Sequence, residues 1–163
     1  MPAPRTRGGA LLRIMVLVAA LSVGAAIVLV VTIRVPPAAP GPGWVRGAAM
    51  SVVRARGVVR VSAATAFLVD TGRPTPLALS ARSPQLGETV IHCGTSGWFE
   101  DPMHGSKFDP LGRYVVGPAP RGLDRFAVRV LDGVAWIDPS AVTPGPPRGM
   151  PTIDPAGPFC VQG

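Results

Sequence analysis

The sequence predicts an all-β domain, a set of small antiparallel sheets behind one N-terminal apolar helix. Gly and Pro number 20 each among 163 residues, a composition that suits short strands and tight turns better than a helical bundle. Short apolar runs recur through the middle of the chain at strand-like length. Asp132-Gly133 separates two of them, and a two-residue Asp-Gly loop is a hairpin signal because both positions need positive φ.

Residues 1–13 form a short basic tail with Arg5, Arg7 and Arg13. Residues 14–33 are 20 positions without a charge. At 1.5 Å rise per residue, such a run crosses a hydrocarbon core of roughly 30 Å. A cleaved signal peptide is the alternative, but its apolar core is usually about 7–15 residues. The expected element is therefore an uncleaved transmembrane helix over residues 14–35. Pro36, Pro37 and Pro40 stop it, since proline lacks the N–H and clashes with the preceding turn. The flanking arginines tie: Arg5, Arg7 and Arg13 before the span, Arg34, Arg46 and Arg54 after it. Long domains translocate largely regardless of such charges. The expected placement is in the cell membrane, single-pass, N-terminus cytoplasmic and domain outside. Arg5-Thr6-Arg7 is not an adjacent pair, so no twin-arginine export signal is evident.

Residues 36–46 read as a Pro/Gly linker, with Trp44 either at the membrane interface or packed on the domain. The domain is expected over residues 47–139. Its strand-like runs are residues 57–62, 65–69, 76–80, 89–93, 125–131 and 134–137. Residues 140–163 are rich in Pro and Gly and are expected to form an extended or disordered tail, with Cys160 the one feature able to tie it down. The net charge of +7 is partly a property of the membrane flanks. Residues 36–163 carry 12 basic and 9 acidic residues, spread without the one-sided basic face that a nucleic-acid partner requires.

Residues 101–122 carry the most specific pattern: Asp-Pro-Met-His-Gly-Ser, then Phe-Asp, a glycine at 112, and Gly-Pro-Ala-Pro-Arg at 117–121. This stretch resembles the second cluster-binding box and proline loop of the Rieske iron–sulfur domain family. The family boxes are Cys-Thr-His-Leu-Gly-Cys and Cys-Pro-Cys-His-Gly-Ser, and the resemblance covers roughly residues 57–138. Two alignments compete for the first box. Residues 83–88, Ser-Pro-Gln-Leu-Gly-Glu, keep Leu-Gly and put Gln85 19 positions before His104; residues 90–95 keep a histidine, His92, only 12 positions before it. The first is preferred on spacing and flanks.

On that alignment the resemblance implies that Ser83 and Asp101 replace the two thiolate ligands and that Gln85 replaces one imidazole. His104 retains the other imidazole. Glu88 and Met103 stand where the family often has a disulfide. Ser106 matches a serine whose hydroxyl reaches the cluster when one is bound, and Phe108 stands where quinol-oxidising members often have a tyrosine. The proline loop, Gly117, Pro118, Ala119 and Pro120, is intact. A Rieske site needs two thiolates and two imidazoles, whereas Ser, Gln and Asp are hard or weak ligands. The implied role is a subunit resembling the iron–sulfur subunit of quinol–cytochrome c reductase, expected to contact cytochrome subunits. It is expected to lack a conventional [2Fe-2S] cluster and not to be an enzyme on its own.

Three other readings stay open. The first is an active electron-transfer protein or metal site with altered ligands, drawn from His104, His92, Cys93 and Cys160; adjacent His92 and Cys93 would point to opposite faces of a strand. The second is a membrane-anchored binding module outside respiration. In the third, an oxidising compartment lets Cys93 pair with Cys160, the alternative being Cys93 as a small buried strand residue. Glu100 and Asp101 read as an acidic pair on a solvated loop.

Overall fold

The computed structural model describes residues 39–161. The expected membrane helix over residues 14–35 lies outside them, and among the described residues no helix is long and apolar enough to cross a membrane. The architecture is the antiparallel all-β one expected. Its strands are β1 (Val45–Ala49), β2 (Val58–Val61), β3 (Ala66–Val69), β4 (Leu77–Ser80), β5 (Ile91–His92), β6 (Phe99–Glu100), β7 (Lys107–Phe108), β8 (Tyr114–Val116), β9 (Arg125–Leu131) and β10 (Val134–Thr143). One short helix, α1 (Met50–Arg56), follows β1. A six-stranded sheet runs β1-β10-β9-β4-β3-β2, and a four-stranded sheet runs β5-β6-β7-β8.

The larger sheet is organised by strand β3, whose four residues are all buried. Alternate side chains leave a strand on opposite faces. Ala66 and Leu68 join a core with Met50, Val53, Ala78, Ala135 and Ile137. Phe67 and Val69 join a second core with Leu79, Val90, Phe99, Phe108 and Leu123. An uninterrupted apolar run is what a strand buried on both faces requires, and it puts β3 and β4 between the base of the domain and the small sheet.

The Asp132-Gly133 hairpin forms as the sequence predicts, with φ of 48° and 72°. Strand β10 continues past Pro139 to Thr143, its register with β9 shifting between Asp138 and Val142. That irregularity accommodates a proline that cannot donate to the ladder. Helix α1 was not expected; it buries Met50 and Val53 and ends on Gly57 at φ 71°. Trp44 packs on the domain, with the Arg129 guanidinium 5.2 Å from its ring centre.

Residues 144–161 follow the small subdomain as a strap. The Arg148 guanidinium donates to the Ala119 carbonyl at 2.9 Å and lies 4.3 Å from the Tyr114 ring. The Ile153 N–H reaches Asp109 Oδ2 at 3.2 Å, and the Ala156 N–H reaches the Ser96 carbonyl at 2.9 Å. Phe159 packs on Trp98, with Lys107 Nζ 4.1 Å from the Phe159 ring centre. A disulfide between Cys93 and Cys160, α-carbons 5.7 Å apart, fastens the end.

Candidate functional site

Three loops of the small subdomain share one backbone design. In residues 83–88, the Ser83 N–H bonds the Glu88 carbonyl at 2.7 Å and the Gly87 N–H bonds the Ser83 carbonyl at 3.0 Å. In residues 93–98, Cys93 and Trp98 make the first bond and Gly97 and Cys93 the second, both at 2.8 Å. In residues 101–106 the partners are Asp101 with Ser106 at 2.8 Å and Gly105 with Asp101 at 2.9 Å. The fifth residue of each loop is a glycine with φ between 73° and 79°. Left-handed backbone of this kind is strained for a side chain with a β-carbon, so the glycine of each motif is a backbone requirement.

Register decides which loops meet. Ile91 pairs with Glu100 and His92 with Phe99. Residues 89–90 and 101 therefore leave the same end of the β5–β6 pair, and residues 93–98 close the opposite end. The Arg82–Thr89 bridge closes residues 83–88 at the first end. The proline loop is there as well, because β8 ends at Val116 opposite Lys107. Gly117 packs so closely that a β-carbon on it would sit 2.5 Å from Ser106 Cα. Ser106 Oγ accepts the Ala119 N–H at 3.0 Å, and the Tyr114 hydroxyl donates to the Gly117 carbonyl at 2.6 Å. Ala119 is buried, while Pro118 and Pro120 are exposed.

Residues 83–88, 101–106 and 117–120 thus form one end of the subdomain. Its rim carries Leu86 and Met103, 68% and 69% exposed. Ser83 and Asp101, the first residues of their loops, are buried; Gln85, Glu88 and His104 are partly buried. Asp101 Oδ1 accepts the N–H groups of Met103 and His104 at 3.0 and 3.1 Å. Its Oδ2 lies 3.6 Å from His104 Nδ1.

The expectation of a solvated acidic pair at Glu100 and Asp101 is overturned, since both are fully buried. Glu100 serves the strap. Its carboxylate accepts the Ser96 hydroxyl at 3.0 Å and the Cys160 and Val161 N–H groups at 3.3 and 2.6 Å. The sequence reading missed this role because a carboxylate cannot be paired in advance with backbone donors 60 positions away. Phe108 is a core residue. Asp109, its neighbour in the Phe-Asp pair, is saturated by Leu111, Arg113 and Ile153.

The alternative ligands do not assemble around His104. His92 lies on β5 with its ring 5.2 Å from that of Phe99. Burial pushes its pKa below the ordinary value, against a smaller upward pull from its hydrogen bond with Gly97. Cys93 and Cys160 lie near Glu100, but their sulfurs are bonded to each other. The donors at the loop end do not fit a two-iron cluster. Such a cluster is held by four thiolates, or by two thiolates and two imidazoles in the Rieske type; this end carries Ser83, Gln85, Asp101 and His104, and both cysteines of the chain are joined to each other elsewhere.

No family model matches the sequence, and no curated protein matches it. Among solved structures, the chain is similar to the cyanobacterial plasma membrane Rieske protein PetC3 from Synechocystis PCC 6803. The identity is 24% and the TM-score 0.48, over 57% of this chain and 97% of that one.

Proposed function

We propose that this chain is a membrane-anchored, Rieske-like subunit of a quinol–cytochrome c reductase-type complex, acting in docking and assembly without a conventional [2Fe-2S] cluster. The observation that carries the reading is the contrast at the loop end. The backbone of two boxes and a proline loop is fully built, with its glycines and Ser106 in structural use. Three of the four ligand positions implied by the resemblance carry Ser83, Gln85 and Asp101, which are poor partners for iron–sulfur chemistry. A scaffold kept for its surface needs the loops but not the thiolates. The disulfide supports an oxidising, extracytoplasmic location, in keeping with a domain held outside by the apolar segment.

The test is affinity isolation of the full-length chain from its native membrane in mild detergent. Cytochrome subunits should co-purify in fixed proportion. Recovery of the folded chain with other membrane proteins and no cytochrome would replace the respiratory reading with a binding module of another system.

A further inference from the structure

A concave site of about 370 Å3 lies between β2, an edge strand of the larger sheet, and β5, an edge strand of the small sheet. Arg60, Thr89 and His92 supply its polar wall, and Val58, Phe67 and Ile91 its apolar wall. An apolar lining with a few convergent polar groups is the usual make-up of a small-molecule pocket, and this volume falls at the lower end of their range.

The basic side of this cleft is fixed and uncompensated. Arg60 stands opposite Phe67 in the β2–β3 ladder, with its guanidinium 4.8 Å from the centre of that ring. Its Nη1 donates to the Val90 carbonyl at 3.4 Å, which leaves most of its five N–H donors uncommitted among the described residues. The exposed Arg82 borders the same space. It is bridged to Thr89, and directly opposed residues put their side chains on one face. Arg82 is held by a bond from its Nη1 to the Gly87 carbonyl at 3.1 Å. The two arginines feel each other: burial first, and then the Arg82 charge, pull the Arg60 pKa below the ordinary value. No carboxylate offsets them. The three ion pairs among the described residues, His104–Asp101, Arg113–Asp109 and Arg121–Asp124, use neither arginine, and Glu88, next to Thr89 in the chain, pairs with neither. Like charges beside one cavity repel, and an oxyanion between them turns that repulsion into charge-assisted, bidentate hydrogen bonding.

We infer that the cleft between β2 and β5 binds a small organic oxyanion, its phosphate or carboxylate group on Arg60, Arg82 and the Thr89 hydroxyl, and its apolar body against Val58, Phe67 and Ile91. His92 closes the polar wall as a neutral imidazole near pH 7, since burial lowers its pKa. The inference goes beyond the docking reading and does not depend on it: Arg60, Thr89 and His92 lie outside residues 83–88, 101–106 and 117–120. The competing role for Arg60 is structural, stacking on Phe67 and closing the Val90 carbonyl; Arg82, exposed at the cleft, has no such part in the core.

The experiment titrates full-length protein in detergent with phenyl phosphate and with benzoate, followed by calorimetry, with inorganic phosphate as the bare anion. Saturable one-to-one binding of phenyl phosphate or benzoate, tighter than that of inorganic phosphate, is the expected result. Arg60→Gln and Arg82→Gln should each weaken it by about tenfold or more, the loss of a charge-assisted contact, whereas Arg129→Gln on β9 should bind like the parent. The chain has two histidines, so magnetic resonance reports the position of the ligand: the His92 ring protons should shift on titration and those of His104 should not. Near-UV circular dichroism identifies a variant that fails to fold, and the exposed Arg82→Gln keeps the test in force if Arg60→Gln is lost. No saturable binding of either organic anion, binding undiminished in folded Arg82→Gln or Arg60→Gln, an equal loss in Arg129→Gln, or a shift of His104 in place of His92 would overturn the inference and leave the docking reading in place.

Discussion

Gly117 shows how tightly single positions are set at the loop end. Its φ of +102° disfavours any side chain, and a β-carbon would collide with Ser106 Cα. Strain and overpacking each cost about 1–3 kcal/mol. Gly117→Ala should therefore lower unfolding free energy by about 2–4 kcal/mol and release the proline loop, read as a lower denaturant midpoint and faster exchange of the Ala119 amide. A change within error would mean that the loop does not pack on Ser106. His92 gives a pH dependence. Its pKa in the fold is depressed below 6.5, chiefly by burial, so the unfolded chain binds the proton more readily. The stabilisation is full above the ordinary value and is lost as pH falls through the folded value. Urea midpoints measured from about pH 8 down to about pH 5 should decline on the acid side, and His92→Gln should flatten that decline. An unchanged profile in the variant would assign the decline to other groups.

At the scale of elements, the strap of residues 144–161 does the work that a small core cannot. Its disulfide joins positions 67 apart, and closing a loop of that size restricts the unfolded chain. Removing such a bond costs about 2–5 kcal/mol. Cys160→Ser should show that loss in urea unfolding, and hydrogen exchange should rise along residues 150–161 before the sheets open. Equal stability of variant and parent would mean that the strap is held by its hydrogen bonds alone. Part of this architecture was legible. The alternation of residues 125–131 and the Asp132-Gly133 turn gave β9 and the hairpin, because period and turn chemistry are local. The continuous run Ala66-Phe67-Leu68-Val69 read as a strand, although its two cores are visible only in three dimensions. Strands β6 and β7, two residues each, are too short to carry a period. Helix α1 offered only the Met50 and Val53 spacing, among residues that also suit a linker. The proline at 139 read as a boundary, whereas β10 carries it through a change of register.

For the whole molecule, the sheets place residues 83–88, 101–106 and 117–120 at one end of the small sheet and residues 93–98, with the disulfide-bound end of the strap, at the other. The candidate positions were legible through the resemblance, as a motif in residues 101–106 and by spacing in residues 83–88. Their burial was not, because Glu100 and Asp101 look like solvent-facing charges until the chain is folded. The structure adds that the Ser83 and Asp101 backbones begin equivalent loops and that the only cysteines are joined away from them. The central proposal is that the end formed by residues 83–88, 101–106 and 117–120 serves as a docking surface without an iron–sulfur cluster. Its most direct test is iron and acid-labile sulfide per chain, with a visible spectrum, on full-length protein purified anaerobically from its native membrane. Folded protein without sulfide and without iron–sulfur absorption is the expected result. Two irons and two sulfides per chain would contradict that and make this an electron carrier with an altered ligand set.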